Sequence, residues 1–147
     1  MVAGGCRCDA LRYTLALDAL PRTYACHCRD CQTWTGTAFS QQAVITEAQI
    51  SVEGETALFE LPHPSGERVS RQHVCGRCHM RLYNINTGRP GFVALRAGTL
   101  DHSDELMVVA HIWTKRKQPW FIVPDSEPSW PEAAPPAPLA AALFPPS

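Results

Sequence analysis

Apolar and polar residues alternate along much of this chain with a period of two. Leu11, Tyr13, Leu15 and Leu17 fall on one side and Arg12, Thr14 and Ala16 on the other, which predicts a half-buried strand. Strand-like patterns return at residues 22–25, 38–45, 50–52, 57–61, 68–74, 91–96 and 106–113. A turn is expected near Glu47, and the Pro-His-Pro-Ser-Gly run at 62–66 reads as a turn cluster. Helix signals are few; residues 29–35 could form one turn. Many short strands punctuated by Gly and Pro predict a mainly β fold of short antiparallel strands, with no internal repeat.

The pattern breaks down at Pro124. From there Pro-Asp-Ser-Glu-Pro-Ser-Trp-Pro-Glu and then Ala-Ala-Pro-Pro-Ala-Pro carry too much proline for helix or sheet. Residues 1–125 are therefore read as the folded domain and 126–147 as a Pro/Ala-rich tail, extended or disordered. A length of 147 residues suits one domain, and no apolar run is long enough to span a membrane. Lys plus Arg number 13 against 14 for Asp plus Glu, so no global charge draws the chain to nucleic acid. Oligomeric state is not written in this pattern.

The chemistry is concentrated in seven cysteines, arranged as Cys6-x-Cys8, Cys26-x-Cys28-x-x-Cys31 and Cys75-x-x-Cys78. Thiolates this close together can converge on one ion. The central triad can reach a single ion by itself, and the two distant pairs together make a four-thiolate site. Four protein ligands around zinc mean a structural site, whereas three leave a position open for water or substrate. Disulfides would need an oxidising compartment, and the first residues, Met1-Val2-Ala3-Gly4-Gly5, lack the basic and apolar regions of a signal peptide. The reading is of a reduced, cytoplasmic chain that binds zinc, two ions per chain, with metal supplying part of the folding energy.

Read with their flanks, the clusters resemble a known family. Gly4-Gly5-Cys6-Arg7-Cys8 before Arg12-Tyr13, then Cys26-His27-Cys28-x-x-Cys31 with Thr35-Gly36-Thr37, are similar to the glutathione-dependent formaldehyde-activating enzymes, a family that includes centromere protein V. Val74-Cys75-x-x-Cys78, Gly98-Thr99-Leu100-Asp101, His111-Ile112-Trp113-Thr114-Lys115 and Gln118-Pro119-Trp120 continue the likeness to about Val123. The resemblance implies a zinc-binding fold with the tent-like sheets of the Mss4 type. It implies a structural zinc on Cys6, Cys8, Cys75 and Cys78 and a reactive zinc on Cys26, Cys28 and Cys31. It also implies a carbon–sulfur lyase or synthase that joins glutathione to formaldehyde as S-hydroxymethylglutathione. A non-enzymatic zinc module that binds glutathione or a macromolecular partner is the alternative, and a purely structural double-zinc domain is a third possibility. The chain departs from the family pattern at Asp9 and His79, which stand where glycine is usual.

Other candidates have plainer readings. His27 sits between two ligands and is expected to point away from the metal. His111 is expected to be a satisfied, half-buried strand histidine; if it reached the triad, the site would close as Cys₃His and the enzyme reading would fail. Lys115-Arg116-Lys117 reads as a solvated strand end or, more sharply, as a patch for the carboxylates of glutathione. Trp113 and Trp120 read as core or rim aromatics, and residues 98–101 as a turn.

Overall fold

Alternation of side chains is what builds the first sheet. In this computed structural model, which describes every residue except Pro64 and Ser147, Leu11, Tyr13 and Leu15 all point inward along β2 (Leu11–Leu15) while Arg12 stays exposed. The strand pairs antiparallel with β1 (Val2–Gly5) on one side and β5 (Ile50–Gly54) on the other. Burying three such side chains contributes on the order of 5 kcal/mol of transfer free energy. The Tyr13 hydroxyl, which would otherwise be a costly buried polar group, meets Thr99 Oγ1 at 2.7 Å. Gly4 is where β1 passes close to this pair: a Cβ there would come within 2.4 Å of the Tyr13 hydroxyl and of the Thr99 carbonyl oxygen.

The chain divides into two units, one of residues 1–20 and 43–105, the other of residues 21–42 and the chain from Leu106 onward. The first holds the sheet just described. It also holds an antiparallel meander of β6 (Thr56–Pro62), β7 (Val69–Cys75), β8 (Arg81–Asn86) and β9 (Phe92–Arg96). Its core is aliphatic, with Leu82, Val93 and Leu95 fully buried. In the second unit β3 (Thr23–Cys26) pairs antiparallel with the start of β4 (Ser40–Thr46) and parallel with β10 (Val108–Ile112). The seven-residue α1 (Arg29–Thr35) follows β3.

Ten strands in two sheets against two helices, among the described residues, make the fold mainly β as expected. The antiparallel expectation holds for the described pairings except those of β10, which runs parallel to β3 and bridges in parallel to Ser129. Two strands were not foreseen. β1 reads Val-Ala-Gly-Gly, with two glycines that carry no strand signal, and β8 buries only Leu82 fully among Arg, Tyr, Asn and Ile. The turn read at 62–66 includes Pro64, outside the described residues.

Proline does not keep the end of the chain from regular structure, contrary to the expectation for residues 126–147. In α2 (Pro136–Leu143) the prolines occupy the first turn, where the missing N–H has no intrahelical partner to lose. Leu139 and Leu143, one turn apart, share a face and are buried, and with Ala134 they supply aliphatic core to the second unit. Upstream, residues 128–132 run along β10. Pro128 and Pro131 only accept, taking N–H bonds from His111 (3.0 Å) and Lys115 (3.2 Å), while the Trp130 amide donates to the His111 carbonyl oxygen at 2.9 Å. That division of labour is how prolines fit at a sheet edge. The Leu143→Ala substitution should cost about 2–4 kcal/mol in urea unfolding, whereas exposed Phe144→Ala should cost under about 0.5 kcal/mol. Equal effects would refute the packing of α2.

Candidate metal centres

Two hairpin ends build the first group. Between β1 and β2 the chain turns through Cys6 and Cys8. The Cys6 amide donates to the Leu11 carbonyl oxygen (3.0 Å), and the Leu11 amide returns a bond to Cys6 Sγ (3.3 Å). Between β7 and β8 the same construction recurs. The Cys75 amide donates to the Met80 carbonyl oxygen (2.9 Å) and the Arg77 amide to Cys75 Sγ (3.5 Å). Each turn closes with the residue after its second cysteine in the left-handed region, Asp9 at φ 61° and His79 at φ 61°. These are the two positions at which the resemblance predicts glycine, and the backbone there adopts a conformation that favours it.

The four sulfurs lie within 4.8 Å of one another and could hold a metal ion. Cys6 and Cys8 are 3.4 Å apart and Cys8 and Cys75 3.7 Å. A tetrahedral zinc with Zn–S bonds of about 2.3 Å needs sulfur–sulfur edges of about 3.8 Å, so the donor set fits the ion. Backbone hydrogen bonds from Cys78 and Arg77 pull the Cys75 thiol down to about 6, which favours the thiolate that a metal requires. Residues 97–101 buttress this turn. The Asp101 amide donates to the Ala3 carbonyl oxygen, and the Asp101 carboxylate takes a two-pronged bond from Arg12 at 2.9 and 2.5 Å.

The second group is built by a strand running into a helix. Cys26 ends β3, Cys28 is the N-cap of α1, and Cys31 lies in its first turn, where its amide donates to Cys28 Sγ at 3.3 Å. Their sulfurs again lie within 4.8 Å of one another and could hold a metal ion, and no histidine or carboxylate among the described residues joins them. Crowding separates the thiols. Hydrogen bonds from Cys26 and Cys31, then backbone amides, hold Cys28 far below the ordinary thiol range, while the same bonds and burial push Cys26 up. Gln42 Nε2 donates to Cys31 Sγ at 3.6 Å. α1 ends at Gly36, φ 67°, whose amide caps the Gln32 carbonyl oxygen.

Both histidines turn away from the sulfurs. The fully buried His27 ring lies 5.2 Å from the Phe39 ring and 5.0 Å from that of Phe121, and its Nε2 lies 3.0 Å from His111 Nδ1. Burial, then the nearby His111 and Lys117 charges, push His27 down to about 4, so it is neutral at pH 7. His111 Nε2 lies 2.6 Å from Glu127 Oε2, so both its nitrogens are engaged and Cys₃His closure does not occur here. In the basic run Lys115 pairs with Glu132, and Lys117 Nζ donates to the Phe121 carbonyl oxygen at 2.9 Å. Two of its three cations are thus held within the chain. Trp120 is exposed, as a rim aromatic should be.

Gln32 and Glu127 carry no signal in the sequence. Gln32 Nε2 lies 2.8 Å from both the His27 and the Arg116 carbonyl oxygens and stitches α1 to the strand end. Glu127 was hidden in the proline-rich stretch.

Fold and clusters together define a mainly β protein with two cysteine groups able to hold a metal. Residues 1–116 match the family model described as glutathione-dependent formaldehyde-activating enzyme, and the chain belongs to that family. Among solved structures it is similar to a Rhodobacter sphaeroides protein determined as a structural-genomics target. The TM-score is 0.53 with 14% identity, covering 67% of this chain and 87% of that one, a likeness of fold alone. No curated protein matches the chain.

The strained turns generate a prediction. A left-handed non-glycine residue costs about 1–2 kcal/mol, and glycine returns about 0.5–1 kcal/mol of that as lost chain entropy. His79→Gly should therefore raise the stability of the metal-loaded protein by up to about 1 kcal/mol, while Asp9→Gly should be near neutral because Asp tolerates this conformation. Denaturant unfolding reads both; a His79→Gly variant less stable than its parent would contradict the strain.

Proposed function

We propose that the chain is a two-zinc protein that uses Cys26, Cys28 and Cys31 to present an open zinc to glutathione, and that it acts as an S-hydroxymethylglutathione synthase, a carbon–sulfur lyase run in the adding direction. The observation that carries this reading is the three-sulfur group, which finds no fourth ligand among the described residues. Cys6, Cys8, Cys75 and Cys78 would hold the second, structural zinc.

Zinc at the triad would lower the pKa of a coordinated thiol and hold glutathione as its thiolate at neutral pH. In the reaction the sulfur forms a bond to the aldehyde carbon, the carbonyl π pair moves to oxygen, and that oxygen takes up the proton the thiol released. Nothing is oxidised or reduced. The protein's part is positional: β3 and the α1 cap fix the three sulfurs, and the Gln42 amide supports Cys31. Three thiolates leave the zinc site with a net negative charge, which favours holding a thiol over polarising a carbonyl. No disulfide joins the seven cysteines, and among the described residues no helix is long and apolar enough to cross a membrane.

Elemental analysis of the purified chain, with X-ray absorption as glutathione is added, tests the reading. Two zincs per chain are expected, with one gaining a fourth sulfur from glutathione. A second zinc indifferent to glutathione would favour a binding or structural module. Cys28→Ser should abolish glutathione binding while leaving a folded protein, and Cys75→Ser should unfold the chain. If both merely unfold it, the division into working and structural zinc is wrong.

A further inference from the structure

A line of three side chains runs from the proline-rich end of the chain to the triad. Glu127 Oε2 lies 2.6 Å from His111 Nε2, and His111 Nδ1 lies 3.0 Å from His27 Nε2. His27 is 0% exposed and His111 2%. The His111 Nε2–H donates to the Glu127 carboxylate oxygen. His111 Nδ1 and His27 Nε2 share a single hydrogen between them, so the two rings are tied edge to edge. His27 Nδ1 has no hydrogen-bond partner.

We propose that Glu127 is a positioning residue for the Cys26–Cys28–Cys31 group, acting through His111 and His27. The His27 peptide joins Cys26 to Cys28, so whatever fixes His27 fixes two of the three sulfurs. Its amide donates to the Ile112 carbonyl oxygen at 3.0 Å, and its own carbonyl oxygen accepts from Gln32 at 2.8 Å. The ring has apolar walls in Phe39 and Phe121 and one polar tether, His111. Phe rings hold position by contact but do not choose which edge of an imidazole faces them; the His111 bond does. His111 is oriented in turn by Glu127, which is anchored by its own amide to the Pro124 carbonyl oxygen at 3.0 Å and by the pairing of residues 128–132 with β10. Hydrogen-bonded partners behind a ligand shell change metal affinity by about 10–100-fold when removed. Here the last partner lies beyond residue 116, where the family match ends, so this chain's tail takes part in shaping the site.

The inference rests on zinc occupying the triad, and the experiment separates the two. Full-length protein is loaded with zinc and titrated with a chromophoric chelator, so that the four-cysteine group serves as an internal control. In the parent, two zincs with distinct affinities are expected; a parent that binds only one overturns the zinc reading and this inference with it. Glu127→Ala should weaken the triad zinc by about 10-fold or more and leave the four-cysteine zinc unchanged. Glu127→Gln, which keeps an acceptor oxygen at the same reach, should recover most of the loss. A Glu127→Ala protein that holds the triad zinc within about twofold of the parent, or that loses both zincs together, overturns the proposal. Should that variant fail to fold, ¹⁵N correlation across hydrogen bonds on the unaltered, zinc-loaded chain decides: a coupling between His27 Nε2 and His111 Nδ1 supports the relay, and its absence ends it.

Discussion

Sulfur crowding is the constraint on which both units of this protein turn. Each group draws its sulfurs within 4.8 Å, an arrangement that thiols alone hold poorly. S–H groups are weak donors, and two thiolates at that distance repel. The opposite displacements of Cys28 and Cys26 show the conflict, since one sulfur can carry the charge only if its neighbours keep their protons. A divalent cation removes the conflict by stabilising all the thiolates together. The backbone has been shaped for that outcome: amides aimed at Cys6, Cys28 and Cys75 are donors that suit a sulfur anion.

The two groups meet the same constraint with different local structure. Four sulfurs come from two hairpin ends and could surround an ion, and each is tied to a strand pair. Three sulfurs from a strand end and a helix cap approach from one segment of chain. A one-sided approach would leave an ion held there with a coordination position for something from outside, and it leaves the sulfurs dependent on what stands behind them. The hairpin knuckles rest on their own ladders and, at Cys6 and Cys8, on Asp101; the strand-to-helix turn is held by Gln32, Gln42 and the His27 side chain.

Much of this was legible in the sequence because spacing and period are local properties. The Leu11-Tyr13-Leu15 alternation, the short helix after the triad and the pairing of distant cysteine clusters all follow from residues within a few positions of one another or from ligand number. β1 and β8 escaped because their burial comes from neighbours the pattern does not show: β1 is packed by Tyr13 and Thr99, and β8 is a strand of polar residues around one buried leucine. The parallel pairing of β10 with β3 joins segments some eighty residues apart in the chain, beyond any period. The end of the chain misled for a sharper reason. Proline content argues against helix only where the proline would cost a hydrogen bond, and in α2 the prolines sit in the one turn where it does not.

Stability alone does not explain the interior of the second unit. Two buried histidines need every hydrogen bond satisfied to avoid a penalty of about 1–3 kcal/mol per orphaned group, and His27 Nδ1 is orphaned. Apolar side chains of similar volume between Phe39 and Phe121 would pack without that cost. What an apolar ring cannot supply is direction. A hydrogen-bonded imidazole has one favoured edge and one favoured angle, and a chain of them passes that orientation from Glu127 to the peptide between Cys26 and Cys28. On the proposed role of Glu127, the polar interior is stability given up for the placement of two sulfurs, as a three-ligand metal site would require.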